Sequence, residues 1–148
     1  MSLQSDDPAV RATEIRAMAT AHLDRYVSTD GEKGFEFYGF PSLVLTTTGR
    51  RSGQPRRTPL IFGEDAGRHA VVASFAGLPT HPAWYLNLEA NPDVHVQVKH
   101  ERFPARARTT TGAERARLWE LMLGVYPPYA GYQAKTEREI PVVVLERR

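Results

Sequence analysis

The run from Leu45 to Leu60, LTTTGRRSGQPRRTPL, holds four arginines, two glycines and no acid. Glycines let backbone N–H groups come close to an anion, and guanidinium forks match phosphate or carboxylate oxygens in pairs. Gly49, Arg50, Arg51, Ser52, Gly53 and Arg56 therefore suit the anionic tail of a ligand. The same residues also describe a solvated hairpin tip. The run has neither the lysine and spacing of a P-loop nor the glycine fingerprint of a Rossmann dinucleotide site. The net charge is only +2, and no acid stands between Glu36 and Glu64. The positive surplus is therefore local, which fits a small anion met at one place and argues against a nucleic-acid partner met along a surface.

Two further stretches could do chemistry. In SFAGLPTHPAWYLNL, Ser74 to Leu88, a strand ends, a Gly/Pro loop follows, and a helix starts with free backbone donors beside Ser74, Thr80 and His81. Such a start binds an anion or polarises a ring carbonyl. Trp84 and Leu88 within it read as core anchors. In YPPYAGYQ, Tyr126, Tyr129 and Tyr132 recur every three residues, which places three phenols on nearly one face of a short helical segment. They would make an aromatic wall with polar tips for a flat ligand, although spacing alone favours a packing stripe against the sheet.

Other chemistries find little support. His22, His69, His81, His95 and His100 show no metal-ligand spacing, so no metal is expected. Ser42, Ser52 and Ser74 lack the G-x-S-x-G elbow of a serine nucleophile. The basic residues Lys99, Arg102, Arg106 and Arg108 alternate along strands and read as a solvated sheet face. There is no cysteine, which excludes disulfides and thiolate chemistry and fits a reducing cytosol.

These sites need elements to hold them. The 148 residues are expected to form a single domain, 1–148, with a core built without disulfides or metals. Residues 1–7 are read as a disordered or tag-derived lead-in, with no secretory or membrane-spanning pattern. Ile15, Met18, Ala19, His22, Leu23 and Tyr26 follow helical spacing, which predicts an amphipathic helix over 8–27 that covers one side of a sheet. Ser28 to Gly39 reads as a loop, and the barrel core occupies 40–148. Within it, β-branched runs predict strands at Ser42–Thr48, Gln54–Phe62, His69–Phe75, Asp93–Val98, Phe103–Thr109 and Ile140–Leu145. Their short connections require antiparallel hairpins. Helices are expected from Pro82 to Ala90, from a capping box Thr111–Glu114 to Val125, and over Tyr129 to Thr136. The sum is an α+β fold: a six-stranded, mainly antiparallel barrel with flanking helices.

Taken in order, LVLTTTGRRSGQPRRTPL, VVASFAGLPTHPAWYLNL, ANPDVHVQV and YPPYAGYQAKTEREIPVVVLE resemble the deazaflavin-dependent nitroreductase family, whose members use coenzyme F-420. The resemblance runs from about Gly39 to Glu146. It implies a split β-barrel fold related to FMN-binding flavin reductases. It also implies hydride transfer from C5 of the reduced deazaflavin to a quinone, an activated enone or a nitroaromatic.

Residue by residue, Arg50, Arg51, Ser52 and Arg56 match the family's basic loop for the coenzyme tail. Pro59, Leu60 and Ile61 match the strand along the deazaflavin ring. Ser74, Gly77, His81, Trp84 and Asn87 match the segment that frames the cofactor, and Tyr126, Tyr129 and Tyr132 match positions on the substrate side. The proton that completes reduction would come from Ser74, Tyr132 or water, with a tyrosine hydroxyl preferred. Arg51 and Thr80 stand where relatives often carry lysine, and Phe75-Ala76 replaces a more polar, glycine-rich pair.

Two other functions remain open on the sequence. One is a non-catalytic split-barrel carrier of deazaflavin, FMN, haem or fatty acid; the other is a basic nucleic-acid module, which lacks the usual aromatic interleaving. Location is expected to be cytoplasmic, with peripheral contact at the inner membrane face left open. Monomer and homodimer are both compatible with the pattern.

Overall fold

The computed structural model describes residues 7–148, so the expected lead-in over 1–7 lies outside the described residues except for Asp7, which caps the first helix. Helix α1 runs over Pro8–Ser28, with Asp7 at its N-cap accepting from the backbone N–H of Ala9 and Val10. This satisfies donors that the first helical turn leaves free. The strands are β1 (Glu36–Phe37), β2 (Phe40–Thr48), β3 (Pro55–Ile61), β4 (Gly63–Asp65), β5 (Arg68–Val72), β6 (Asp93–Val98), β7 (Glu101–Thr109) and β8 (Val142–Arg147). Helices α2 (Ala83–Ala90), α3 (Gly112–Val125) and α4 (Tyr129–Ala134) complete the α+β fold.

All strand pairs are antiparallel, in the order β1-β2-β6-β7-β8-β5-β4, with β3 paired along the other edge of β2. The approach of β3 to β5 curls the sheet toward a barrel. Among the described residues there are eight strands where the sequence predicts six. The additions are the two-residue β1, inside a stretch read as loop, and the three-residue β4, inside a stretch read as a turn. Strands this short carry no readable alternation. Ala66 and Gly67, with φ of 51° and 82°, close the β4–β5 hairpin in the primed geometry that matches strand twist.

The central strands are buried on both faces, which explains why β8 reads as an unbroken apolar run. Val143 and Leu145 join Leu43, Leu45, Val71, Val96 and Phe103 inside the barrel, with Tyr85 and Leu88 of α2 closing one end. Val142 and Val144 face the other way, onto Leu118 and Met122 of α3, Tyr129 of α4 and Ile140. Along β7, Phe103, Ala105 and Ala107 point inward. Arg102, Arg106 and Arg108 point out to Asp30, Asp93 and Glu114, as a solvated face requires.

The expected capping box at Thr111 is absent, and Thr111 makes no side-chain cap bond. The Glu114 carboxylate instead accepts from Arg108 at 2.6 and 3.1 Å and from Arg68 at 3.5 Å. Charge-assisted bonds to guanidinium groups outcompete a backbone N–H for that carboxylate. At α2 the helix begins at Ala83, one position after the expected start, and Pro82 is its N-cap.

Candidate functional site

The β2–β3 hairpin builds the arginine turn. Gly49 N–H donates to the Gln54 carbonyl at 2.8 Å and Gly53 N–H to the Gly49 carbonyl at 2.8 Å. Gly49 packs so closely that a Cβ would lie 2.6 Å from Ser52 Oγ. Ser52 Oγ accepts from Gln54 N–H at 3.1 Å and from Arg56 Nη2 at 3.3 Å. Buried Asn87, on α2, joins the turn to the barrel. Its Oδ1 accepts from Arg50 N–H at 3.1 Å and from Arg50 Nη1 at 3.0 Å, while its Nδ2 donates to Thr47 Oγ1 at 3.3 Å. Among the described residues no carboxylate forms an ion pair with Arg50, Arg51, Arg56 or Arg57.

The turn opens onto a cleft of about 1040 Å³, bounded by the turn, β3, the loop after β5, α2, α4 and α1. Gly49, Arg50, Arg51, Ser52, Arg56, Pro59, Leu60, Ile61, Ser74, His81, Trp84, Asn87, Tyr126, Tyr129 and Tyr132 all line it. Sequence positions spread over some 80 residues are thus brought to one place. Trp84, read as a core anchor, is only partly buried and shows a side to the cleft, whereas Leu88 is fully in the core.

Gly77 is the exception. It lies behind the wall at φ 76°, where a Cβ would stand 2.6 Å from the Tyr132 carbonyl oxygen and 3.0 Å from the Tyr132 Cα. Its missing side chain lets α4 pack onto the loop and so sets the position of Tyr132. Gly53 shapes the hairpin tip at φ 71°.

The tyrosines form one cluster. The Tyr126 and Tyr132 hydroxyls are 3.2 Å apart, and the Tyr126 ring meets Tyr129 edge-on at 4.9 Å between centroids. Burial pushes the phenols of Tyr126 and Tyr129 well above their ordinary range, so both stay protonated. Ser74, two residues beyond the end of β5, lines the cleft as well, and its hydroxyl has no hydrogen-bond partner among the described residues. Phe75, Ala76 and Gly77 follow with φ of 46°, 54° and 76°, all in the left-handed region. Phe75 and Ala76 thus sit in a backbone conformation that favours glycine, at about 1–2 kcal/mol for each. His81 is held below its ordinary pKa, first by burial and then by the Arg138 charge.

Sequence reasoning missed one wall. Ile15, Arg16, Met18, Ala19 and His22 of α1 line the cleft, with Phe37 and Tyr38 beside them. Helical periodicity identified the apolar face of α1 but not what that face covers. His22 stacks on Phe37 at 4.7 Å, and its Nε2 lies 2.6 Å from the Gly34 carbonyl, so this face is fixed against the loop before β2. Arg138 was missed as well, since one arginine in the charged run KTERE carries no signal.

With this geometry in hand, three comparisons bear on the chain. The profile of a family described as F420H(2)-dependent quinone reductase matches residues 18–147. An F420H(2)-dependent quinone reductase of Mycobacterium tuberculosis H37Rv is 42% identical over 127 residues, covering 83% of this chain and 85% of the relative. A solved structure described as an F420-H2 dependent reductase is 48% identical with a TM-score of 0.67, covering 72% of this chain and 94% of that one. Another, described as a domain-swapped dimer, is 41% identical with a TM-score of 0.71, covering 90% and 98%.

Proposed function

The chain belongs to the F420H(2)-dependent quinone reductase family, oxidoreductases that use coenzyme F-420, and from that premise we propose how its own residues hold the coenzyme and an acceptor. The observation that carries the reading is the cleft itself. At one end stand four guanidinium groups with no acid partner among the described residues, and at the other stand three clustered phenols and a free serine hydroxyl. The residues present fit the group: an anionic tail finds paired donors, and a flat ring finds the apolar edge Pro59–Ile61.

In this reading Arg50, Arg51, Ser52 and Arg56 bind the tail, and Asn87 fixes Arg50 for that task. Bound there, the reduced coenzyme supplies a hydride. Pro59, Leu60, Ile61, Trp84 and the tyrosines exclude water and orient a quinone against it, so that proximity rather than a protein nucleophile accounts for the rate. The quinone gains two electrons and a hydrogen as hydride and needs one more proton. The hydrogen-bonded Tyr126–Tyr132 hydroxyl pair supplies that proton or relays it from water, with Ser74 as the other donor within the site. Activated enones and nitroaromatics are acceptors of the same flat, electron-poor kind. Because a relative at 41% identity is described as a domain-swapped dimer, a homodimer is the assembly this reading takes.

The test mixes the purified protein with reduced coenzyme F-420 and menadione and follows recovery of oxidised-coenzyme fluorescence. The reading requires reoxidation that depends on both protein and quinone. Reoxidation no faster than without protein, across quinones, enones and nitroaromatics, would defeat it.

A further inference from the structure

Arg138 lies in the connection between α4 and β8 and reaches the loop after β5 that carries Ser74 and His81. Its Nε donates to the Leu78 carbonyl at 2.9 Å, its Nη2 to the Ser74 carbonyl at 2.7 Å, and its Nη1 to the Ala73 carbonyl at 3.2 Å. Nη1 also lies 3.0 Å from Nδ1 of His81. These acceptors span both ends of the left-handed Phe75–Gly77 segment, so one side chain clamps the loop that carries Ser74 and His81. None of them is an acid, and the half-buried guanidinium keeps its charge without a counter-ion among the described residues.

The contact to His81 has a chemical consequence. A guanidinium has only donors, so Nδ1 of His81 must accept, and the imidazole carries its proton on Nε2. The groups around the ring agree with a neutral state. Burial and Arg138 disfavour the imidazolium; Glu89 opposes them, while its carboxylate is engaged by the Tyr85 hydroxyl at 3.3 Å, and the Tyr85 ring packs on His81 at 4.9 Å. A positive charge hydrogen-bonded to Nδ1 draws electron density from the ring and makes the Nε2–H a stronger donor.

We propose that Arg138 is a positioning residue for quinone reduction, locking His81 as the Nε2–H tautomer so that the cleft presents a fixed neutral donor to negative charge that develops during hydride transfer. This rests on the functional reading above. His81 donates a hydrogen bond and keeps its proton, and the proton that completes the product comes from the phenols or water, so the reaction balances without further reagents. A neutral imidazole suits that role because it stabilises developing charge without attracting the proton itself.

The experiment has two arms. In the first, long-range 1H–15N spectra of the protein without coenzyme assign the His81 tautomer and its titration in wild type, Arg138→Met and Arg138→Lys. Wild type should show Nε2 protonated, Nδ1 bare and a midpoint below 6.5, the ordinary histidine value. Arg138→Met should mix the tautomers and raise the midpoint, and Arg138→Lys should restore both. In the second arm, His81→Phe should lower kcat about 100- to 1,000-fold, the order expected for one preorganised donor, and Arg138→Met should lower it by no more than that. Coenzyme Kd of Arg138→Met should hold within about threefold, and the kcat of the double variant should be no worse than that of the poorer single. Wild-type His81 protonated at Nδ1, or a double variant whose losses multiply, would overturn the proposal even if Arg138→Met fails to fold. A wild type with the expected tautomer but no quinone turnover would locate the failure in the functional reading instead, and the role with it.

Discussion

Replacing Gly77 with alanine should damage both the fold and the site by an amount that can be worked out from the backbone. The residue sits at φ 76°, and a Cβ there would lie 2.6 Å from the Tyr132 carbonyl oxygen and 3.0 Å from its Cα. Forcing an L-residue into the left-handed region costs about 1–2 kcal/mol. The clash is with helix backbone rather than a flexible side chain, so α4 must move, at about 1–3 kcal/mol for overpacking. Together these give about 2–5 kcal/mol, or a fall in Tm of roughly 5–20 °C for a chain of this size. Gly131, in the same helix, provides the contrast. A Cβ there meets nothing within 4 Å, so Gly131→Ala should raise stability by about 0.5–1 kcal/mol through helix propensity. Thermal melts by circular dichroism read both variants. Turnover by Gly77→Ala at a permissive temperature should fall more than coenzyme affinity, because the shift displaces Tyr132 from Tyr126. A Gly77→Ala protein melting within about 2 °C of the parent, or a Gly131→Ala protein equally damaged, would refute the packing argument.

Tyr126→Phe and Tyr132→Phe should each slow quinone reduction about tenfold or more, toward the lower end for general acid catalysis since water can substitute, with coenzyme Kd changed less than about threefold; steady-state kinetics with unchanged kcat in both would remove the phenols from proton delivery. His22, His69 and His81 are all held below the ordinary 6.5 by burial. As pH falls through that value the unfolded chain takes up protons before the folded one, so stability is full above about pH 6.5 and declines below it. Melts from about pH 7.5 to 5 should show Tm falling with acid, less steeply in His22→Gln; a Tm that is flat or rises would contradict the buried neutral state.

The sequence displayed the parts whose signals are local. The β2–β3 hairpin is legible because TGRRSG interrupts two β-branched runs, and β8 because Val142 to Leu145 are buried on alternating faces. The three tyrosines are legible as a face, and the cluster now seen both packs against α3 and reaches the cleft. What stayed hidden depends on distant partners. Two- and three-residue strands gain their pairing only from the folded sheet. Glu114 abandoned the helix cap for Arg108 on β7 and for Arg68 on β5, partners on two different strands that only the folded sheet brings together. Helix α1 lines the cleft, and Arg138 holds the loop that lines it, through tertiary placement that no spacing within α1 or the KTERE run encodes.

The central claim is that the arginine turn holds the coenzyme, and a fluorescence titration with coenzyme F-420 and with FMN tests it most directly. The account predicts tighter binding of the deazaflavin, weakened about tenfold in Arg50→Ala and again in Arg56→Ala, as expected for losing charge-assisted bonds at an exposed site, with affinity falling as salt rises. Equal affinity in the parent and both variants, or preference for FMN, would contradict it.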